Sequence, residues 1–239
     1  MRYSRFYTDQ NISVEKALCI TESRAHYMRN VLRLSTGDKV CLFNGKGGEF
    51  EALINHVSKH EVLLDILSFD ETNRQSPLNI ELGLALIKRD AMDAAVQKAT
   101  ELGVSKIQPL LCQNSTIPTK SLEKRLTHWK EISINACEQC GLNMPPTILS
   151  PIDTTTWFSQ EAELKLLASP TSTTSLVKIE SKPKSLLVAI GPEGGFVSDE
   201  INSASQNGFI AVFLGKRILR ADTAVTSMMT LAQSQWGDL

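Results

Sequence analysis

The sequence lacks the features of a membrane protein and of a disulfide-rich secreted protein. None of its apolar runs approaches the roughly 20 residues that span a bilayer, and no apolar secretion signal follows the first residues. Its five cysteines are an odd number, and only Cys137 and Cys140 lie close together. A single Cys-x-x-Cys pair without neighbouring histidines is a weak zinc pattern. We therefore expect a soluble cytoplasmic protein with free thiols and no metal.

The sequence also lacks a strong overall charge, since the formal net charge of the 239 residues is -1. This excludes a basic coat over the whole surface, but the first 36 residues carry twice as many basic as acidic side chains, most of them arginine. Arginine suits bidentate phosphate contacts and stacking on bases. The composition equally allows a helix with a solvated basic face. Residues 25–33 have helical spacing. This spacing predicts that Tyr27, Val31 and the following Leu34 point inward and that Arg29 and Arg33 lie on another face.

Hydrophobic periodicity divides the chain into two parts. Short β-like runs at 39–43, 50–57 and 62–67 predict a small β-barrel that carries one helix. A polar stretch ending in proline, 73–77, predicts a domain boundary. Beyond it, strands and helices alternate, which predicts a mostly parallel α/β sheet covered on both faces. The predicted strands are 78–87, 107–111, 164–168, 186–190 and 209–214, and the predicted helices are 92–103, 122–140, 198–207 and 223–236.

Two loops follow predicted strands near the C-terminus. The first is the glycine loop Gly191-Pro-Glu-Gly-Gly-Phe196, and the second runs from Leu214 to Ala224. Ligands of open α/β sheets bind at the carboxyl ends of strands, and glycines allow a close approach to the backbone. Two ordinary strand-to-helix turns are the alternative. However, the carboxylate of Glu193 and the opposite charges of Arg220 and Asp222 are not needed for packing. No Gly-x-Gly-x-x-Gly opens the first βα unit, which disfavours a Rossmann-type nucleotide-binding regulator.

Several motifs together resemble the ribosomal RNA small subunit methyltransferase E family of the SPOUT class. The similarity runs over nearly the whole chain. Its main segments are His26–Arg33, Thr36–Asp38, Met92-Asp93, Gln97–Val104, Ala136–Gly141, Ile190–Phe196, Leu214-Gly215, Arg217–Arg220 and Trp236–Leu239. Residues 1–72 would then form a PUA-like RNA-binding β-barrel. Residues 73–239 would form an α/β SPOUT methyltransferase domain with a C-terminal trefoil knot, which periodicity cannot predict because threaded chains are so rare.

The resemblance implies a reaction and its participants. A homodimer would transfer a methyl group from S-adenosylmethionine to N3 of one uridine in small-subunit ribosomal RNA, either free or in the assembled subunit. The RNA would be held by arginines of the first domain, and its target base would be unpaired or flipped out. The implied RNA contacts are Arg2, Arg5, Arg24, Arg29 and Arg33. The implied cofactor contacts are Ala168, Gly191, Glu193, Gly194, Gly195, Leu214, Gly215, Ile218, Leu219 and Ala224.

The chemistry assigns roles to three charged residues. The proton on uridine N3 leaves only in alkaline solution, so the enzyme must stabilise the uridine anion or remove that proton. Arg220 is the candidate for stabilising the anion, while Asp222 and Glu193 are the candidates for accepting the proton. Asp222 has an alternative role as the N-cap of the last helix. The apolar stripe of that helix fits either a dimer interface or a cover over the sheet.

The chain departs from the family pattern at several positions. Arginines that are usual in the family are replaced by Gln113-Asn114, by Ala91 and by the segment 142–144, and Asp222 stands where a glutamate is usual. These changes concern the grip on RNA and the base more than the cofactor. They leave open an alternative: an RNA-binding ribosome-assembly protein that keeps the fold and the cofactor pocket but has little or no catalytic activity.

Overall fold

The computed structural model describes residues 3–115 and 122–239, so Arg2 lies outside the described residues. The chain divides into two compact units. The first comprises Met1–Gln75 together with Cys137–Met144, and the second comprises Ser76–Ala136 together with Pro145–Leu239. The first boundary falls close to the proline-ending hinge. The return of Cys137–Met144 to the first unit has no signal in the periodicity, because it depends on contacts between distant parts of the chain.

The first unit is built on a five-stranded sheet in the order β1-β3-β4-β5-β2. All neighbours pair antiparallel except β1 and β3, which are parallel. Alternate residues such as Leu42, Ile54 and Leu64 are fully buried, as expected for a sheet with one face on a core. The periodicity did not predict β1 and β2. The strands are β1 (Ser4–Tyr7), β2 (Ala17–Thr21), β3 (Lys39–Phe43), β4 (Glu49–Val57) and β5 (Glu61–Asp70).

The helix of this unit differs from the prediction. A short helix α1 (Glu22–His26) leads into a π-helical turn, Tyr27–Val31, after which Arg33 has φ +55°. Of the three residues predicted inward, only Leu34 packs on the core, while Tyr27 is 43% and Val31 58% exposed. The π turn is wider than an α-turn, with Leu32 N–H bonded to the carbonyl of Tyr27, so the 3.6-residue spacing does not apply.

An ionic cluster of buried Arg5, Glu49 and the exposed Arg74 joins the sheet of the first unit to the segment after residue 140. Arg5 is 8% exposed and donates hydrogen bonds to Glu49 and to the carbonyl of Leu142. Arg74 donates to the same Glu49 at 2.6 Å and to the carbonyl of Gly141 at 3.2 Å. Burial alone would raise the pKa of Glu49, but the hydrogen bonds from Arg74 and Arg5 lower it below its ordinary value.

The second unit contains the predicted parallel sheet. Its strands run in the order β12-β10-β11-β6-β7-β8, β9 also pairs with β7, and every pairing is parallel. Residues 80–85 of β6 are all buried, which requires cover on both faces of the sheet. The short β8 and β9 were not predicted. The strands are β6 (Asn79–Ala85), β7 (Lys106–Leu111), β8 (Thr147–Ile148), β9 (Ile152–Asp153), β10 (Leu164–Ala168), β11 (Ser185–Ile190) and β12 (Ile210–Val212).

The helices are α2 (Arg89–Glu101), α3 (Leu122–Cys140), α4 (Thr154–Phe158), α5 (Ser198–Gln206) and α6 (Ala221–Trp236). Helix α2 packs with α6, and α4 with α5. The apolar stripe of α6 is buried in the core of this unit, so it covers the sheet. Within the described parts of the chain, no helix has the length and hydrophobicity of a membrane span.

The unpredicted helix α4 depends on one glycine in the sheet. Trp157 of α4 is fully buried, and its indole N–H donates to Glu81 of β6 at 2.8 Å. A Cβ on Gly83 would lie 2.5 Å from the ring of Trp157. Glycine at position 83 therefore makes room for the tryptophan against β6.

Candidate active site

The strand order places the predicted site residues at one edge of the second unit. Strands β12, β10 and β11 are neighbours and parallel, so the loops that follow them emerge side by side. Backbone hydrogen bonds join the two loops after β10 and β12, from Ser169 N–H to Val212 O at 2.8 Å and from Phe213 N–H to Thr174 O at 3.0 Å. Ala168, at the end of β10, therefore lies beside the starts of both other loops.

The glycine loop needs glycine for two different reasons. A Cβ on Gly191 would lie 3.1 Å from the ring of Phe196, so this position is restricted by packing. Gly195 has φ +72°, and its N–H donates a hydrogen bond of 2.8 Å to the carbonyl of Pro192, which closes a tight turn. A Cβ on Gly195 would meet nothing within 4 Å. The backbone therefore borders open space at this end of the loop.

Side chains from neighbouring segments hold the glycine loop. The amide of Asn114, which follows β7, donates to the carbonyls of Gly195 at 3.1 Å and Gly194 at 3.4 Å. Glu193 accepts a long hydrogen bond of 3.5 Å from the N–H of Lys88 at the start of α2. Glu200 of α5 accepts a hydrogen bond of 2.9 Å from the N–H of Val197, which follows the loop. Neither Asn114 nor Glu200 was predicted as a site residue from the sequence.

The loop after β12 borders an open groove of about 610 Å³. Gly215 has φ +95°, and a Cβ there would also meet open space. Ile218 is 87% exposed, whereas Leu219 packs partly against the core. Ala224 is buried in the second turn of α6. The groove is lined by Ser175, Leu176, Val177, Phe213, Leu214, Gly215, Thr226, Ser227, Thr230 and Leu231.

Arg220 and Asp222 stand at the start of α6. Arg220 is the N-cap residue and is exposed, with no ion-pair partner among residues 3–115 and 122–239. Asp222 lies in the first turn, and its side chain does not cap the helix, which rules out its alternative role as N-cap. Its Oδ1 is buried and has no hydrogen-bond partner in the described structure. Such an unsatisfied buried acceptor is rare in folded proteins.

One thiol, that of Cys112, follows β7 near this edge of the sheet. Burial and the neighbouring charge of Glu200 raise the pKa of Cys112 to about 12, so this thiol stays protonated at neutral pH. In the portion of the chain that the structure describes, no group of three or more His, Cys, Asp or Glu side chains is arranged to hold a metal ion.

The arginines of the first unit separate into two groups. Arg5 is buried against Glu49, and Arg24 donates to Glu138 at 3.0 Å and to the carbonyl of Tyr7 at 2.6 Å. Both therefore have partners within the fold. Arg29 contacts the carbonyl of Ser58 at 3.2 Å and is half-buried, while Arg33 is exposed. Among the described arginines of the first unit, Arg29 and Arg33, on the π turn and just after it, combine arginine charge with neighbouring exposed apolar side chains.

Comparison with known proteins identifies the family. Residues 74–233 match the model of an RNA methyltransferase domain, and residues 20–67 match that of an RNA methyltransferase PUA domain. Ribosomal RNA small subunit methyltransferase E of Buchnera aphidicola from Schizaphis graminum is 35% identical, over 100% of this chain and 98% of that protein. The chain belongs to the ribosomal RNA small subunit methyltransferase E family. The PUA match lies within the first compact unit, and most of the methyltransferase match lies in the second.

Two solved structures support the same conclusion. The small subunit methyltransferase E of Neisseria gonorrhoeae, bound to S-adenosylmethionine, aligns with a TM-score of 0.93 and 35% identity over 100% of both chains. A methyltransferase of Legionella pneumophila, also in complex with S-adenosylmethionine, aligns with a TM-score of 0.96 and 34% identity over 100% of both chains. The fold of this member therefore matches that of relatives able to bind the cofactor. The trefoil knot remains a prediction from the resemblance.

Proposed function

We propose that this protein is an S-adenosylmethionine-dependent methyltransferase of small-subunit ribosomal RNA that methylates N3 of a specific uridine. Family membership carries the reaction class, the cofactor and the class of RNA. The observation that carries the site is the meeting of three strand-end loops at one edge of the sheet, two of them with glycines facing open space. The position of the methyl group on uridine is an inference from the resemblance.

The residues at this edge fit the cofactor. The proposed contacts are Ala168, Gly191, Glu193, Gly194, Gly195, Leu214, Gly215, Ile218, Leu219 and Ala224. Leu214 and Leu219 offer apolar surface for an adenine ring, and the glycine loop offers backbone groups without side chains in the way. Of the proposed contacts, Leu214 and Gly215 also border the open groove of about 610 Å³. When bound, S-adenosylmethionine supplies the methyl group on its sulfonium.

The residues of the chain would prepare the uridine. The guanidinium of Arg220 would lie beside a carbonyl oxygen of the base and stabilise the negative charge that develops when N3 loses its proton. Asp222 is the preferred proton acceptor, because its side chain is partly exposed and lies two residues from Arg220 in the chain. Glu193 stays a second candidate, although its carboxylate already accepts from Lys88 N–H. Alignment of N3 with the methyl group and sulfur would supply most of the remaining rate enhancement.

The RNA contact would centre on the π turn of the first unit. Tyr27, Val31 and Leu32 are exposed apolar side chains here, and Arg29 and Arg33 lie among them. Aromatic stacking combined with phosphate contacts is a common mode of binding unpaired RNA. Arg5 and Arg24 are left out of this proposed surface, because their guanidinium groups hold Glu49 and Glu138 within the fold.

A homodimer and a cytoplasmic location complete the proposal. One apolar side chain of the second unit, Val177, is 63% exposed, and a second copy of the chain would cover it. Light scattering should give twice the chain mass of 26.4 kDa. A monomer at micromolar concentration would contradict this part of the proposal.

The deciding experiment is methyl transfer from labelled S-adenosylmethionine to small-subunit particles that lack the modification. Mass analysis of the nucleosides should identify 3-methyluridine. Methylation of another atom would contradict the assignment of N3, but not the reaction class. Cofactor binding without any transfer would favour the assembly-protein alternative, to which the replaced family arginines also point. Naked small-subunit RNA, tested in parallel, identifies which form of the RNA is the substrate.

A further inference from the structure

A buried carboxylate ties the glycine loop to two neighbouring segments. Glu200 is 9% exposed, and its Oε2 accepts from Val197 N–H at 2.9 Å. Its Oε1 accepts from Gln113 N–H at 3.1 Å and from the hydroxyl of Thr154 at 3.3 Å. These three donors follow β11, β7 and β9 respectively. One side chain therefore fixes the relative positions of three segments at the carboxyl edge of the sheet.

Asn114 adds a second tie next to the first. Its amide nitrogen donates to the carbonyls of Gly194 and Gly195, while Glu200 holds the N–H of the preceding residue, Gln113. In a trans peptide the C=O and the next N–H point in opposite directions. Holding the Gly195 carbonyl at Asn114 therefore turns the N–H of Phe196 away from Asn114. The orientation of the glycine loop peptides thus depends on residues outside the loop.

We infer that Glu200 and Asn114 are positioning residues for the cofactor, which hold the glycine loop in its binding conformation before S-adenosylmethionine arrives. The inference rests on the proposed function, in which this loop contacts the cofactor. Gly194 and Gly195 have wide conformational freedom, and an unrestrained loop would lose that freedom upon binding. Ties that order the loop in advance remove this cost from the binding step.

The hydrogen bonds that each side chain accepts or donates determine which variants test its role. A carboxylate accepts hydrogen bonds at both oxygens, so Glu200→Gln would set an N–H₂ group against the N–H of either Gln113 or Val197. Asn114→Asp would set a carboxylate against two carbonyl oxygens. Asn114 is exposed, so this second variant should fold even if Glu200→Gln does not. The matched controls are Asp199→Asn, on the exposed face of the same helix, and Gln113→Ala, since only the backbone of Gln113 is used.

The test measures S-adenosylmethionine affinity by calorimetry on the full chain, followed by steady-state kinetics and RNA binding. We expect Glu200→Gln and Asn114→Asp to weaken cofactor binding at least tenfold and to raise KM for the cofactor similarly. Their kcat at saturating cofactor should stay within about threefold of wild type, and their RNA affinity within twofold. The two controls should match wild type in all these measurements.

The outcomes separate this inference from the proposed function. Unchanged cofactor affinity in both variants would overturn the positioning role. A lower rate that saturating cofactor does not restore, together with weaker RNA binding, would show a general loss of fold. This result would also overturn the positioning role. A wild-type protein that binds the cofactor but transfers no methyl group would refute the proposed reaction, while the affinity comparison still decides the role of Glu200 and Asn114.

Discussion

Replacement of Arg220 is the sharpest test of the proposed chemistry. This side chain is exposed at the N-cap of α6, and the helix is held by other groups, including the Ala224 N–H bond to the Arg220 carbonyl at 2.8 Å. Because that bond uses the backbone, Arg220→Ala removes the guanidinium and leaves the helix start in place. Surface substitutions of this kind usually change stability by less than about 0.5 kcal/mol.

The expected loss in rate follows from the role of the guanidinium. Removing one preorganised donor from a developing anion typically lowers kcat by about 10² to 10³, or roughly 2.7–4 kcal/mol in the activation free energy. The cofactor affinity should change by less than threefold, because the charge acts on the base. Raising the pH should restore part of the rate, since uridine loses its N3 proton in alkaline solution without help from the protein.

The assay is single-turnover methyl transfer at saturating cofactor over a range of pH. Arg217→Ala is the matched control, because it removes another exposed arginine of the same loop. This control should keep a rate close to wild type. A rate for Arg220→Ala within threefold of wild type would remove Arg220 from the mechanism. A loss that does not diminish at high pH would refute its role in stabilising the uridine anion.

Three further predictions concern the RNA surface, the core and the ionic cluster. Tyr27→Ala should weaken RNA binding by about 1–3 kcal/mol in a filter-binding assay with no change in cofactor affinity, if an unpaired base stacks on this ring. Gly83→Ala should lower the free energy of unfolding by about 1–3 kcal/mol in urea, since its methyl group would press on Trp157; an unchanged midpoint would contradict that packing. Glu49 has a lowered pKa in the folded state, so its contribution to stability is present at neutral pH and is lost as the pH falls below about 4.3 towards the folded value. Glu49→Gln should therefore unfold more easily than wild type at pH 7, by about 3 kcal/mol, and the difference should shrink in acid.

Much of the methyltransferase unit was predictable from the sequence. Parallel strands buried on both faces give long apolar runs, such as 186–190, and glycine-rich turns mark where they end. Strand-end loops of a parallel sheet share one edge, so the placement of the loops that begin at Gly191 and Leu214 at the same edge followed from the fold class. The same logic missed β8 and β9, because two-residue strands leave no periodic signal.

The remaining features depend on contacts between residues far apart in the chain. Glu200 could not be predicted as a site residue because its partners Gln113 and Thr154 lie 87 and 46 positions away.

Tyr27 was predicted to point inward because helical spacing assumes an α-helix, and the π turn changes that spacing. No sequence pattern in this segment indicates a π turn. Its position at Arg29 and beside the exposed Arg33 agrees with the frequent occurrence of π turns at functional sites.

The arginines of the first unit show why a count of basic residues overestimates the number of phosphate contacts to RNA. Five phosphate contacts to single-stranded RNA would give a slope of about −3.5 in log affinity against log salt, whereas two would contribute about −1.4. Because Arg5 and Arg24 are paired with carboxylates inside the fold, we expect Arg29 and Arg33 to be the contributors among the four of these arginines that the structure describes. Replacing these two by alanine should flatten the slope by about 1.4. Arg24→Ala should leave the slope unchanged even if it lowers stability, because its guanidinium neutralises Glu138 before any RNA binds. A slope that flattens equally for Arg24→Ala would mean that this ion pair opens for the phosphate, and the RNA surface would then have to extend beyond the π turn.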